Sequence, residues 1–193
     1  MRASTEKRRK EILDAALACF REQGFGATSM EQIRSRSGAS VGSIYHHFHS
    51  KEELAQALYI EGLADYQQSL LVELTRHRTA ESKTRAVVDH YLGWVSDHLE
   101  LMHYLVQMRQ ADFVAQSEIR ASRAAFFRAA AEFFRGHLEN GELRAMPFEL
   151  FVALTTGPVQ EYTRHWLGHP DPGDLKKARK ILADAAWASV RKE

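Results

Sequence analysis

Residues 28–48, Thr28-Ser-Met-Glu-Gln-Ile-Arg-Ser-Arg-Ser-Gly-Ala-Ser-Val-Gly-Ser-Ile-Tyr-His-His-Phe48, decide how this chain reads. Met30 and Ile33 lie three apart, and Ile44 and Phe48 four apart, as expected of two short helices that each bury one face. Between them Gly38 supplies a turn conformation that side chains disfavour. Thr28 with Glu31 reads as a capping box, in which hydroxyl and carboxylate each satisfy an otherwise unpaired backbone N–H. Ser40 caps the following helix, Val41 to about Phe48, with Ile44, Tyr45 and Phe48 on its inner side. Two short helices around a Gly-containing turn spell a helix-turn-helix, whose second helix enters the DNA major groove with its first residues at base edges.

That reading assigns chemistry to the outer positions. Val41 suits contact with a thymine methyl, and Ser43 a bond to a base or a phosphate. Gly42 is costly inside a helix and permits close approach to a duplex, while Tyr45 and His46 suit phosphate. None is a bidentate Arg or Asn reader, so base discrimination from this helix is modest. Ser50 and Glu53 form a second capping box, and Lys51, in the first turn of the next helix, reads as a phosphate clamp. A disordered-looking basic arm, Lys7 to Lys10, adds further candidate phosphate contacts. His46, His47 and His49 make a poor metal set, because helix neighbours point about 100° apart.

Upstream, Ile12, Ala16, Cys19 and Phe20 make one apolar stripe that ends at Gly24, predicting a first helix over about 5–23. Downstream, helical spacing predicts elements near 51–76, 81–98, 100–110, 115–139, 147–166 and 174–191, with no convincing period-two alternation. The fold class is all-α, about nine helices in total, with a DNA-binding domain over 1–50 and an effector-binding and dimerisation domain over 51–193. The chain has 193 residues, 45% hydrophobic and 26% charged, which suits a globular core. Its formal net charge of +1 hides an asymmetry: residues 1–51 hold 9 basic and 5 acidic side chains, the rest 17 and 20. A basic front end fits a polyanion partner, although a locally basic solvated surface reads the same way. One cysteine, Cys19, excludes an internal disulfide and a Cys-rich zinc module. With no apolar run of membrane-spanning length and no signal-peptide pattern, a cytoplasmic protein is expected.

The run Phe25-Gly-Ala-Thr-Ser-Met-Glu-Gln-Ile33, then Ser37-Gly-Ala-Ser40, Gly42-Ser-Ile-Tyr-His-His-Phe48 and Ser50-Lys-Glu-Glu-Leu54 resembles the N-terminal domain of the TetR family of one-component repressors. The resemblance covers about residues 8–58. It implies a homodimer gripping a palindromic operator and a variable C-terminal domain whose small effector lowers DNA affinity. It also implies DNA contacts at Thr28, Ser40, Gly42, Ser43, Tyr45, His46 and Lys51. Arg34 stands where the family usually has alanine, and Val41 where a polar or basic residue is common. Arg34 is a candidate phosphate contact, with snorkelling along its own stem as the alternative.

Residues 90–127 mix aromatics and Met with polar groups, as a small-molecule cavity requires, although such a stripe is also ordinary core. Trp94, Met102, Phe113 and Phe126 are candidate walls, and His103, Gln107, Arg109 and Arg123 candidate orienting groups. An acidic effector is favoured if Arg109 or Arg123 points inward. Residues 148–166 are apolar on much of their circumference and need cover. In similar repressors the last two helices pair across a two-fold axis, so Phe151, Leu154, Thr155, Val159, Tyr162, Trp166, Ile181 and Ala185 are interface candidates. Gly157-Pro158 is expected to kink or interrupt that helix.

No glycine-rich phosphate loop, His-Glu-x-x-His zinc pair or Gly-x-Ser-x-Gly elbow is present, and no enzyme, cofactor or metal is expected. The expectation is a homodimeric transcriptional regulator, a repressor of double-stranded operator DNA released by a small molecule. A DNA-binder without effector differs only in its pocket, and a helical interaction module remains a third reading.

Overall fold

The computed structural model describes residues 2–109, 111, 116–169 and 175–192. Among them are nine helices and no strand: α1 (Arg2–Ala27), α2 (Met30–Ser37), α3 (Val41–His47), α4 (Lys51–Leu74), α5 (Ala80–Asp97), α6 (Leu99–Met108), α7 (Gln116–Glu139), α8 (Phe148–Leu167) and α9 (Leu175–Val190). The chain divides into two compact units, one of residues 1–63 and 100–119, the other of 64–99 and 120–193. The first unit therefore takes α4 up to Leu63 and α6 from Glu100 onward.

In the first unit, Ile12, Ala16, Cys19 and Phe20 of α1 are buried with Ile33 of α2, Ile44 of α3, Phe48, and Leu54 and Leu58 of α4. Phe20 stacks on Tyr104 of α6 at 5.7 Å, and the Tyr104 hydroxyl donates to the Ala55 carbonyl at 2.6 Å. Gly24 breaks the helical path of α1 with φ 78° and ψ 160°, so the stop read at that glycine is real, although helical turns resume beyond it. Residues 7–10 lie within α1 and are not a disordered arm. Arg8 donates to the Ser37 carbonyl at 3.3 Å and pairs with Glu11, and Arg9 pairs with Glu61 while lying over the Phe48 ring.

The cap of α2 falls one residue later than read. Ser29 accepts from the Gln32 backbone N–H and Gln32 accepts from that of Ser29, completing a capping box. Thr28 is only 2% exposed, and its hydroxyl is directed to the carbonyls of Gly24 and Cys19 at 2.8 and 3.2 Å. At the other end Gly38 takes the left-handed conformation, φ 63°, and closes the helix. Ser40 caps α3 through the Ser43 N–H, as expected. Ser50 caps α4, but the Glu53 carboxylate reaches the backbone N–H of His49 instead of Ser50, which holds its pKa below the usual range.

The core of the second unit joins Leu70 and Leu74 of α4, Val87 of α5, Phe134 of α7, Phe151 of α8 and Val190 of α9, with the Phe134 and Phe151 rings 4.7 Å apart. Arg85 to Asp184 at 2.5 Å and Arg179 to Asp89 at 2.6 Å clip α9 to α5. α8 continues through Gly157-Pro158 as one helix, and Pro158 lies on its exposed side. Phe151, Thr155 and Val159 are at most 2% exposed in the chain's own core, so they are not free to meet a partner. Leu154 and Trp166 are half-buried, and Tyr162, Ile181 and Ala185 are exposed.

Candidate nucleic-acid interface

The geometry of α3 follows from two residues. Ile44 and Phe48, 0% and 1% exposed, lock one side of the helix into the first unit's core. The remaining positions must then point away from it. Val41 is 59% exposed and Tyr45 48%, so Tyr45 lies on the outer face and not the inner one. Gly42 and His46 are also exposed, and a side chain at Gly42 would meet nothing within 4 Å. Ser43 is half-buried, with its backbone N–H held by the Ser40 hydroxyl. An exposed Val and Tyr beside an open glycine offer apolar contact, hydroxyl donors and close approach on one short surface.

The histidines add titratable charge. His46 and His47 meet edge to face at 5.3 Å. Partial burial, then the neighbouring His46, Arg9 and Arg8, hold the His47 imidazole below its ordinary pKa.

Three candidate contacts are instead occupied within the protein. Lys51 Nζ donates to the carbonyls of Phe25 and Thr28, both at 2.8 Å, and of Gly26 at 3.4 Å, and sits 4.4 Å from the centre of the Phe25 ring. An ammonium has three protons, so these carbonyls take its whole donor capacity. Arg34 forks onto Glu31 at 2.5 and 2.7 Å and donates to the Ala39 carbonyl at 3.2 Å, bracing the turn before α3. Thr28 is spent on α1. The residues missed by sequence reasoning are braces of the same kind: Arg36 bidentate on Glu22, and Gln32 on Gln23. Ser29 and Gln32 fit a capping box as well as Thr28 and Glu31 do, so that signal was present but ambiguous.

The expected effector set is dispersed. Met102 and His103 are half-buried and Gln107 exposed on α6, which belongs to the first unit, and Arg109 after it is exposed. Arg123 is exposed on α7, and Phe126 packs half-buried against the second unit's core. Neither guanidinium is buried, which removes the argument for an acidic effector. Phe113 lies outside the described residues.

Trp94 alone of that set lines a cleft of 530 Å³ in the second unit, with Asp65, Ser69, Glu73, His77, Asp89 and His90 among its neighbours. Its polar groups largely satisfy one another. Trp94 Nε1 donates to Asp65 at 2.7 Å, Glu73 is paired with Arg76 and His77, and Asp89 with Arg179. Among the described residues no group of three or more His, Cys, Asp or Glu is placed to hold a metal ion. Nor is any described helix long and apolar enough to cross a membrane.

Residues 12–58 match the family model described as bacterial regulatory proteins, tetR family. The chain is 44% identical over 184 residues to the HTH-type transcriptional repressor KstR2 of Mycobacterium tuberculosis, covering 95% of this chain and 80% of that protein. A TetR family regulator from Marinobacter aquaeolei superposes with a TM-score of 0.82 at 19% identity over 100% of both chains. SmeT of Stenotrophomonas maltophilia, in its complex with triclosan, gives 0.71 at 25% identity over 97% and 93%.

Proposed function

The chain belongs to the TetR family of bacterial regulatory proteins and is a DNA-binding transcriptional regulator, and from that premise we propose that it is a homodimeric repressor released from a palindromic operator by a small molecule. The observation that carries the DNA-binding part is α3: anchored by Ile44 and Phe48, it leaves Val41, Gly42, Tyr45 and His46 unburied. A dimer would present two such helices about 34–36 Å apart, one turn of duplex, to successive major grooves.

The dimer seam we propose runs along the exposed sides of the last two helices. Leu150, Leu154, Pro158 and Tyr162 recur every fourth residue on α8, and Ile181, Ala185 and Ala188 line the outward side of α9. Leu150 is 48% exposed and Ile181 71%, which is unfavourable for large apolar side chains left in water. The effector would bind the second unit and favour a state in which the two recognition helices are wrongly spaced. SmeT in complex with triclosan is a neighbour that supports a small-molecule response. The site of action would be the cytoplasm, where the operator lies.

The test is selection of duplexes from a random pool by the purified protein, followed by titration and sedimentation. A two-fold-symmetric consensus bound by two protomers is the expected result. A lone subunit that retains no duplex in dilute salt would refute the reading.

A further inference from the structure

One residue holds both polar groups of the residue that turns α2 into α3. Arg34, on α2, accepts the Ala39 backbone N–H on its own carbonyl at 3.2 Å, and its guanidinium Nη1 donates to the Ala39 carbonyl, also at 3.2 Å. Nε and Nη2 of the same guanidinium donate to the two Glu31 carboxylate oxygens at 2.7 and 2.5 Å. Glu31 thereby fixes the plane of the fork and aims its remaining edge at the turn. Beside it, the Ser37 hydroxyl donates to the Arg34 carbonyl at 3.0 Å, and Gly38 takes the left-handed conformation.

The Ala39 carbonyl shares a peptide plane with the N–H of Ser40, the residue that caps α3. Val41, Gly42 and Ser43 follow at once. Ile44 and Phe48 anchor the later part of the helix, but of residues 38 to 43 Ala39 is buried and the others are exposed or half-buried. A helix of 7 residues with glycine at its second position has little stability by itself. The attitude of its first turn therefore depends on what holds the peptide before it.

We propose that Arg34 is a positioning residue for sequence recognition: clasped by Glu31, it holds the Ala39–Ser40 peptide, and with it the first turn of α3, in the attitude that meets base edges, and it makes no phosphate contact of its own. The inference rests on α3 being the helix that enters the groove. The opposite charges of the two partners separate this role from a direct one. A guanidinium on phosphate strengthens binding to every duplex, whereas a carboxylate close to phosphate weakens it. In the clasp, operator binding needs both.

The test measures the affinity of the full-length protein for its operator and for an unrelated duplex by anisotropy over a range of salt. Amide hydrogen exchange at Ser43 and Ile44, whose N–H groups are held by Ser40, reads the first turn without DNA. Arg34→Ala and Glu31→Ala should each speed that exchange and weaken operator binding about fivefold, the order of one hydrogen bond, while the unrelated duplex changes by less than about twofold. The salt slope should stay that of the parent, and the double variant should lose no more than either single one. Arg34→Lys keeps the charge but cannot fork onto Glu31 and reach Ala39 together, so it should behave as Arg34→Ala does. A salt slope lower by about one in Arg34→Ala, or parental affinity in Arg34→Lys, would place Arg34 on phosphate and overturn the proposal. Tighter operator binding by Glu31→Ala would overturn it as well. Unchanged exchange at Ser43 and Ile44 overturns the clasp whatever the DNA results. Faster exchange in variants of a protein that selects no duplex would instead refute the reading of α3, and the recognition role with it.

Discussion

Ser43, His47 and Lys51 lie within nine residues of one another, and the structure separates their roles. Among the described residues the Ser43 hydroxyl has no partner, which leaves it available to a base edge. Ser43→Ala should therefore reorder the affinities of base-substituted operators by about 1 kcal/mol, read by competition anisotropy. An unchanged ranking would remove Ser43 as a reader. His47 is held below its ordinary pKa in the free protein, first by partial burial and then by His46, Arg9 and Arg8. Phosphates brought against it would raise that value, so binding takes up a proton and operator affinity should increase as pH falls, until the imidazole is already charged in the free protein. His47→Gln should flatten that dependence, and a profile as steep as the parent's would show that the proton is taken up elsewhere. Lys51 was legible as a cation at a helix start, but not as one whose donors are consumed. Its partners are backbone carbonyls some 25 residues upstream, and a carbonyl leaves no mark on residue identity. Lys51→Met should cost about 1.5–3 kcal/mol in urea unfolding, as for hydrogen bonds to a charged donor. A purely phosphate-binding lysine would leave unfolding unchanged and lower only the salt slope of DNA binding.

The helices were largely readable because apolar spacing and stop residues act locally. Gly24 and Gly38 carry positive φ, and each stands where the sequence called for a break. Gly38→Ala should cost about 1 kcal/mol, since a Cβ strains the left-handed conformation closing α2, and thermal melts would detect it. The α2 cap was misread by one residue. Two overlapping box patterns compete there, and the choice is made by carbonyls of α1 that draw Thr28 inward. Ser29→Ala should lose about 1 kcal/mol of stability. No loss would mean the cap is not needed. In α8 the Gly157-Pro158 pair does not break the helix. Pro158 forfeits one backbone bond, and it does so on the exposed side of the helix.

Across the whole molecule, the exposed apolar rows of α8 and α9 carry the proposed dimer. Ile181→Arg should shift sedimentation toward the protomer and weaken operator binding with it, while a dimer of unchanged affinity would move the seam elsewhere. Sequence alone determined the all-α class, the positions of nearly every helix and the outward set on α3 apart from Tyr45, because periodicity, glycine and capping residues report forces that act within a few positions of the chain. Only the tertiary structure decided which face of α8 is core, that α6 from Glu100 onward belongs with the first unit, and that Lys51, Arg34 and Thr28 are braces. Those outcomes depend on side chains and carbonyls brought together from distant segments, and an amphipathic pattern says that a helix has an inside without saying what will lie against it.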